Sequence, residues 1–394
     1  MTQKIRLIAL ALVAVFANRP VLAQPQTADP QAAFKNDVHA TAGLTCASCH
    51  VARPGQSPDT NIAGPRRTEV AALCGKCHSD AAYMRKFAPQ VRIDQLSQYV
   101  TSAHGKRMAA GDDRAATCSD CHGAHGVARV TDTRSPVAPL NVAKTCARCH
   151  ADSNRMTPFK RDAAVFTDWS ASVHAAALLT RGDTSAPTCN TCHGSHGATP
   201  PGVTEVANVC AQCHVREAEL FRASPKKEIF DGMGQAECLA CHSNHRIEHP
   251  ADTWIGTNDE AVCSTCHDAT TESAKTIAGF KDGLARLNDQ IVQAGEVLDR
   301  AARAGMLVDD GRAALREAHE GQIQARVSIH AFADEPFGEL LSKGIEASDH
   351  GRQAGEAALH EIQVRRQGLG VATLLVLAFL AALGLKIRRL PPPS

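Results

Sequence analysis

Large rings are scarce in this chain: aromatic residues make up 4% of its 394 positions, with 2 Trp and 2 Tyr. That length corresponds to about two or three ordinary domains, and so few rings leave much of their interior unaccounted for. Charge of one sign is missing as well. Lys and Arg total 42 against 41 acidic residues, which excludes the basic bias that nucleic acid demands. Methionine is thin at 6. Cysteine at 16 and histidine at 19 are the excess. Disulfide-stapled scaffolds are usually much shorter than this, so something other than side chains is expected to fill the core.

Every cysteine falls in one pattern. Cys46 and Cys49 run into His50, Cys74 and Cys77 into His78, Cys118 and Cys121 into His122, and Cys146 and Cys149 into His150. Cys189 and Cys192 precede His193, Cys210 and Cys213 precede His214, Cys238 and Cys241 precede His242, and Cys263 and Cys266 precede His267. Two thiols three apart can both add to the vinyl groups of one haem, and the adjoining histidine is then held beneath the iron as its proximal ligand. Zinc coordination gives no reason for a histidine directly after every pair. Redox dithiols usually occur once, on a thioredoxin-like scaffold that is not in evidence. Disulfides would form only where haem attachment fails. The expected cofactor is therefore eight covalently bound haem c groups. On these motifs, residues 39–267 resemble the multihaem c-type cytochromes, specifically a doubled C-x-x-C-H group similar in motif style to cytochrome c3 proteins. About 29 residues accompany each haem, whereas domains below about 40 residues rarely support themselves. The porphyrins would be the core, and without them this region is expected to be largely unfolded.

The motifs come in pairs, giving four di-haem modules at 39–78, 104–150, 174–214 and 230–267. Similar text precedes the second motif of several modules, Thr68-Glu69-Val70-Ala71, Asn141-Val142-Ala143-Lys144 and Thr204-Glu205-Val206-Ala207, and reads as the start of a helix that delivers it. Six methionines cannot serve eight irons, so histidine is the expected distal ligand. His39, His104 and His174 lie upstream of three modules in a small-residue context. His125, His196 and His245 each lie three residues after a proximal histidine, too close to cross their own haem plane, and are expected to ligate a neighbouring haem. Arg53 stands where the first module would have its downstream histidine, and the fourth has no upstream histidine near Phe230. Two irons are left unassigned. His319 and His330, eleven apart and within about 20° on a helix, fall in one apolar stripe with Leu315, Ile323 and Val327 and are the candidates for them, with His249, His350 and His360 in reserve.

The expected fold class is mainly α with extensive irregular loops, a haem-packed array followed by a C-terminal helical hairpin or bundle and one transmembrane helix. Residues 1–23 read as a signal peptide, with Lys4 and Arg6, an apolar run, and Val21-Leu22-Ala23 before Gln24. The octahaem region is 24–267. Residues 268–366 carry Ile277, Phe280, Leu284, Leu287 and Ile291 at helical spacing, a turn around Gly305 and Gly311, and a break at Pro336, from which Phe337 leads on. Residues 368–385 are uninterruptedly apolar and would span about 27 Å, within a transmembrane helix placed at 367–386. Lys386, Arg388 and Arg389 follow and put a short tail, 387–394, in the cytoplasm. Bis-histidine ligation saturates iron, so the expected function is an electron relay on the periplasmic face of the membrane, with no catalytic residue. Its partners would be redox proteins of membrane and periplasm, and the quinone pool reached through one of them. The alternative is an octahaem oxidoreductase acting on nitrogen or sulfur oxyanions. Nitrite reductases of that kind use a C-x-x-C-K motif, absent here, and the only tyrosines, Tyr83 and Tyr99, leave no late tyrosine to cross-link a catalytic haem as in hydroxylamine oxidoreductase. A haem-bearing sensor is a third class, disfavoured by the very short tail.

Overall fold

The computed structural model describes residues 29–50, 64–202 and 205–388. The expected signal peptide, Arg53, Thr204 and the tail beyond 388 lie outside the described residues. Helices joined by irregular loops make up the described chain, with no strand among those residues. Two compact units divide it, one ending at Pro200 and the other beginning at Pro201.

In the first unit, the leading motifs of three modules sit on single helical turns, Cys46–Cys49, Cys118–His122 and Cys189–His193. A threonine starts each turn, and its backbone N–H donates to the side chain three residues on: Thr45 to Ser48 at 3.1 Å, Thr117 to Asp120 at 2.7 Å, Thr188 to Thr191 at 3.1 Å. This capping satisfies orphan groups of a helix too short to stand alone. It also keeps the two cysteines, three apart, on one face. The second motifs end longer helices, Arg67–His78 and Pro139–His150, as the recurring upstream text led us to expect. Arg67 clamps the first module to the second: its guanidinium donates to both Asp120 carboxylate oxygens at 3.1 and 2.8 Å, and to the Asp113 and Ala115 carbonyls at 2.8 and 2.9 Å. The apolar cluster beneath is small, built on Ala143, Trp169, Ala175 and Leu178.

The second unit carries the remaining motifs and a three-helix bundle, Ala274–Arg303, Asp309–Ser328 and Asp334–Arg388. Its core is conventional, with Phe280, Leu284, Leu287, Ile291, Phe337 and Leu341 buried around Ala318 and Ala325. Each such large apolar side chain contributes about 1.5–3 kcal/mol on burial. Asp252 accepts a bidentate bond from Arg326 at 2.8 and 2.8 Å, tying the fourth module to the bundle.

Three expectations are corrected here. Gly311 lies inside the second bundle helix, not in the turn, which is made at Gly305 with φ 84°. A Cβ on Gly311 would stand 2.3 Å from Leu298 Cδ2. Pro336 does not break the last helix, which begins at Asp334; in the first turn, proline forfeits no helical hydrogen bond. His319 is exposed, because the buried face of its helix is Gly311, Ala314, Ala318, Gln322 and Ala325. These small residues let the helices approach closely: a Cβ on Gly321 would lie 2.8 Å from Gly344 Cα. Leu315 and Ile323 suggested a different stripe because size, not closeness, dominates an apolar pattern.

The last helix runs unbroken to Arg388. From residue 363 onward its side chains are exposed, Leu369 and Phe379 at 68% each. That stretch is long and apolar enough to cross a membrane.

Candidate functional site

A short frame repeats ahead of the modules: an aromatic residue, then Asp or Ser three on, then histidine two further. It is Phe34-Asp37-His39, Tyr99-Ser102-His104 and Trp169-Ser172-His174. In each copy the middle residue is extended, with ψ of 145°, 164° and 161°. Its N–H donates back to the carbonyl of the aromatic residue, at 3.0, 3.0 and 2.9 Å. Its side chain then caps the next helical turn, Asp37 accepting from His39 N at 2.8 Å, Ser102 from Gly105 N at 2.9 Å and Ser172 from Ala175 N at 3.1 Å. All three cap residues are buried. The histidine is thereby set at a fixed place on its turn.

A second device follows the leading motifs. The residue after the proximal histidine has positive φ, 84° at Gly123, 82° at Gly194 and 63° at Ser243. This positive-φ residue turns the chain sharply just before His125, His196 and His245.

The outcome is a set of histidine pairs. His39 faces His78 with ring centroids 6.1 Å apart, and His104 faces His150 at 6.0 Å. His50 faces His125 at 5.8 Å, and His122 faces His196 at 6.0 Å. In the second unit His242 faces His330 at 6.1 Å. Interplanar angles range from 4° to 86°, and ring pairs such as His242–Trp254 at 5.8 Å and His267–Phe332 at 5.9 Å share the spacing, which lies within the ordinary range of ring contacts. It is also the span that two histidines on one metal would leave. Metal–imidazole bonds are about 2 Å and an imidazole centroid lies about 1.1 Å behind its nitrogen, which places two axial rings about 6 Å apart. The residues therefore fit haem iron. Each pair joins a motif histidine to one outside the motifs, and a rule appears that was not legible beforehand. In the first unit, upstream His39 and His104 face the second motif of their own module, and downstream His125 and His196 face the first motif of the preceding one.

Protonation agrees with ligation. Burial pushes the imidazoles of His78, His104, His122, His150, His196, His242 and His330 below their usual range, favouring the neutral, metal-binding form. Several rings are oriented from behind. His39 Nδ1 lies 2.8 Å from Asp37 Oδ1, His330 Nδ1 donates to the Val327 carbonyl at 2.9 Å, and His193 Nδ1 donates to the Thr199 carbonyl at 3.3 Å. With Nδ1 engaged, Nε2 is the nitrogen left for a metal. His50 Nδ1 is buried with no hydrogen-bond partner among the described residues.

All sixteen cysteines are described and none is in a disulfide. Nor do three or more His, Cys, Asp or Glu side chains converge on one point among the described residues, as zinc would require. Cysteines of successive modules meet instead. The thiols of Cys74 and Cys118, Cys146 and Cys189, and Cys210 and Cys238 are neighbours that shift one another's acidity, lowering Cys118 and Cys210 to about 7 and raising Cys74 and Cys238. The second motif of one module is thus set against the first motif of the next. His174 occupies the upstream frame and His245 the downstream turn, while His193, His214 and His267 close their own motifs. His319 faces solvent. The frame's aromatic residue and cap were the unread signal: Phe34, Tyr99 and Trp169 recur at constant offset from His39, His104 and His174.

The cytochrome c3 family matches residues 38–151 and 182–268, together just over half of the chain. The chain is 27% identical over 232 residues to the multihaem cytochrome MtrA of Shewanella baltica (strain OS185), covering 57% of this chain and 56% of that protein. It is 25% identical over 232 residues to cytochrome c-552 of Haemophilus influenzae (strain ATCC 51907), covering 52% of this chain and 38% of the other. The chain therefore spans little more than half the length of the first relative and well under half of the second. No solved structure matches.

Proposed function

The chain belongs to the cytochrome c3 family of multihaem c-type cytochromes, and from that premise we propose that it is an octahaem electron relay, exported and held at the membrane by its last helix. The observation that carries this reading is the set of five histidine pairs at 5.8–6.1 Å. Bound haem supplies a one-electron iron couple at each motif. The sixteen cysteines would anchor it, His50, His78, His122, His150, His193, His214, His242 and His267 would serve as proximal ligands, and His39, His104, His125, His174, His196, His245 and His330 as distal ones. Two histidines on one iron leave no position for substrate, which suits transfer and not catalysis. Neighbouring cysteines of successive modules would bring the groups attached to them near one another, which favours electron transfer from module to module.

The exposed apolar stretch of the last helix, with Lys386 and Arg388 at its end, supports a single span with the haem region outside and the tail in the cytoplasm. Redox proteins of membrane and periplasm are the partners, with quinol oxidation lying in a membrane partner. Electron paramagnetic resonance of the ferric protein tests the reading. Low-spin signals unaffected by nitrite or hydroxylamine are expected. A high-spin fraction that shifts with either one contradicts a relay and favours the oxyanion oxidoreductase.

A further inference from the structure

The fourth module keeps the upstream frame and changes its ligand. Phe221, Ser224 and Lys226 stand at the same offsets as Phe34, Asp37 and His39. The likeness is structural as well. Ser224 N donates to the Phe221 carbonyl at 3.0 Å, and Ser224 is extended with φ −86° and ψ 157° between helices Val215–Ala223 and Lys226–Met233. Its hydroxyl donates to the Phe221 carbonyl at 2.7 Å, as the Ser102 hydroxyl does to Tyr99 at 2.7 Å. Ser224 is buried, as Asp37, Ser102 and Ser172 are. Two things differ: Lys226 replaces histidine, and the Ser224 side chain accepts no capping bond, the next helix starting one residue later, after Pro225.

Where the upstream histidine is paired, it faces the second motif of its own module, as His39 faces His78 and His104 faces His150. In the fourth module that motif ends at His267. Lys226 is half-buried, and its Nζ lies 5.1 Å from the Phe332 ring centroid, whose ring is 5.9 Å from that of His267. His267 Nδ1 is 2.7 Å from Ser273 Oγ, leaving Nε2 for iron. His330, the nearby alternative, already faces His242.

We propose that Lys226 is the distal ligand of the haem attached at Cys263 and Cys266, giving one histidine/lysine site in an otherwise bis-histidine array. The ammonium releases one proton to solvent and the freed nitrogen lone pair forms the bond to iron, with no change of oxidation state. The inference rests on the octahaem reading above and assigns the iron that histidine alone does not reach. An amine is a harder donor than imidazole and sits on a flexible stem, so this site is the one set apart in potential and in ligand exchange.

The test uses the full-length ferric holoprotein, its Lys226→His and Lys226→Ala variants, and near-infrared magnetic circular dichroism, whose charge-transfer band reports the axial pair. The native protein should show a histidine/amine band from one haem beside the bis-histidine band. In Lys226→His that band should merge into the bis-histidine band, and in Lys226→Ala one haem of the eight should turn high-spin. A native spectrum without the amine band, or variants indistinguishable from native, overturns the assignment. Haem content measured on the same samples separates the two failures. Fewer than eight haems in the native protein overturns the octahaem reading, whereas a full count without an amine signal overturns only the role of Lys226.

Discussion

Asp37 serves three donors with one carboxylate: His39 N and His39 Nδ1 on one oxygen and Val127 N on the other, each at 2.8 Å, with the side chain buried. Asp37→Ala orphans two half-buried N–H groups, those of His39 and Val127, and frees the His39 ring. Hydrogen bonds to a charged group are worth about 1.5–3 kcal/mol each, so holoprotein stability in denaturant should fall by about 2–3 kcal/mol, with the spectrum of one haem perturbed. A variant as stable as the native protein would remove Asp37 from the ligand frame. His330 makes the sharpest residue contrast. His330→Met should convert one bis-histidine haem to histidine/methionine, visible in the near-infrared, while His319→Gln should leave the spectrum unchanged because His319 is exposed. The opposite result would exchange their roles. The motif thiols and their adjoining histidines can be picked out in the sequence because haem attachment would depend on local spacing alone. Distal pairing was not, since His125 faces His50 across 75 residues of chain, and only the docking of modules decides it.

Among the elements, the bundle was legible as helices but not as an interface. Large residues announced the first helix, whereas the second packs through Gly311, Ala314 and Ala318, residues that carry little weight in an apolar pattern. Gly321→Ala pushes a methyl group against the Gly344 backbone at 2.8 Å, which cannot give way as a side-chain tip can. Overpacking of this kind costs about 1–3 kcal/mol, measurable as a lower thermal midpoint of the bundle. Gly295→Ala is the matched control: its nearest neighbour would be Leu315 Cδ2 at 3.7 Å, ordinary contact. There the helix propensity of alanine should leave stability equal or raise it by up to about 1 kcal/mol. Equal losses at both glycines would mean that close helix approach is not what selects them.

For the whole molecule, the two kinds of interior explain the shortage of aromatic residues. The bundle closes on its own side chains, with Leu284 and Leu287 fully buried, whereas the motif regions are short helices around histidine pairs held about 6 Å apart. A chain made without haem attachment should therefore yield, on limited proteolysis, a protected fragment beginning near Ala274, with everything before it digested. Protection extending through the motifs would contradict a haem core. Ending the chain after residue 366 should release the haem-loaded protein into the soluble fraction, and its retention in washed membranes would refute the anchor. The most direct measurement is the intact mass of the purified protein together with its pyridine haemochrome absorbance. The account predicts a polypeptide heavier by eight haem groups, whereas a mass set by the residues alone, without Soret absorbance, would contradict it.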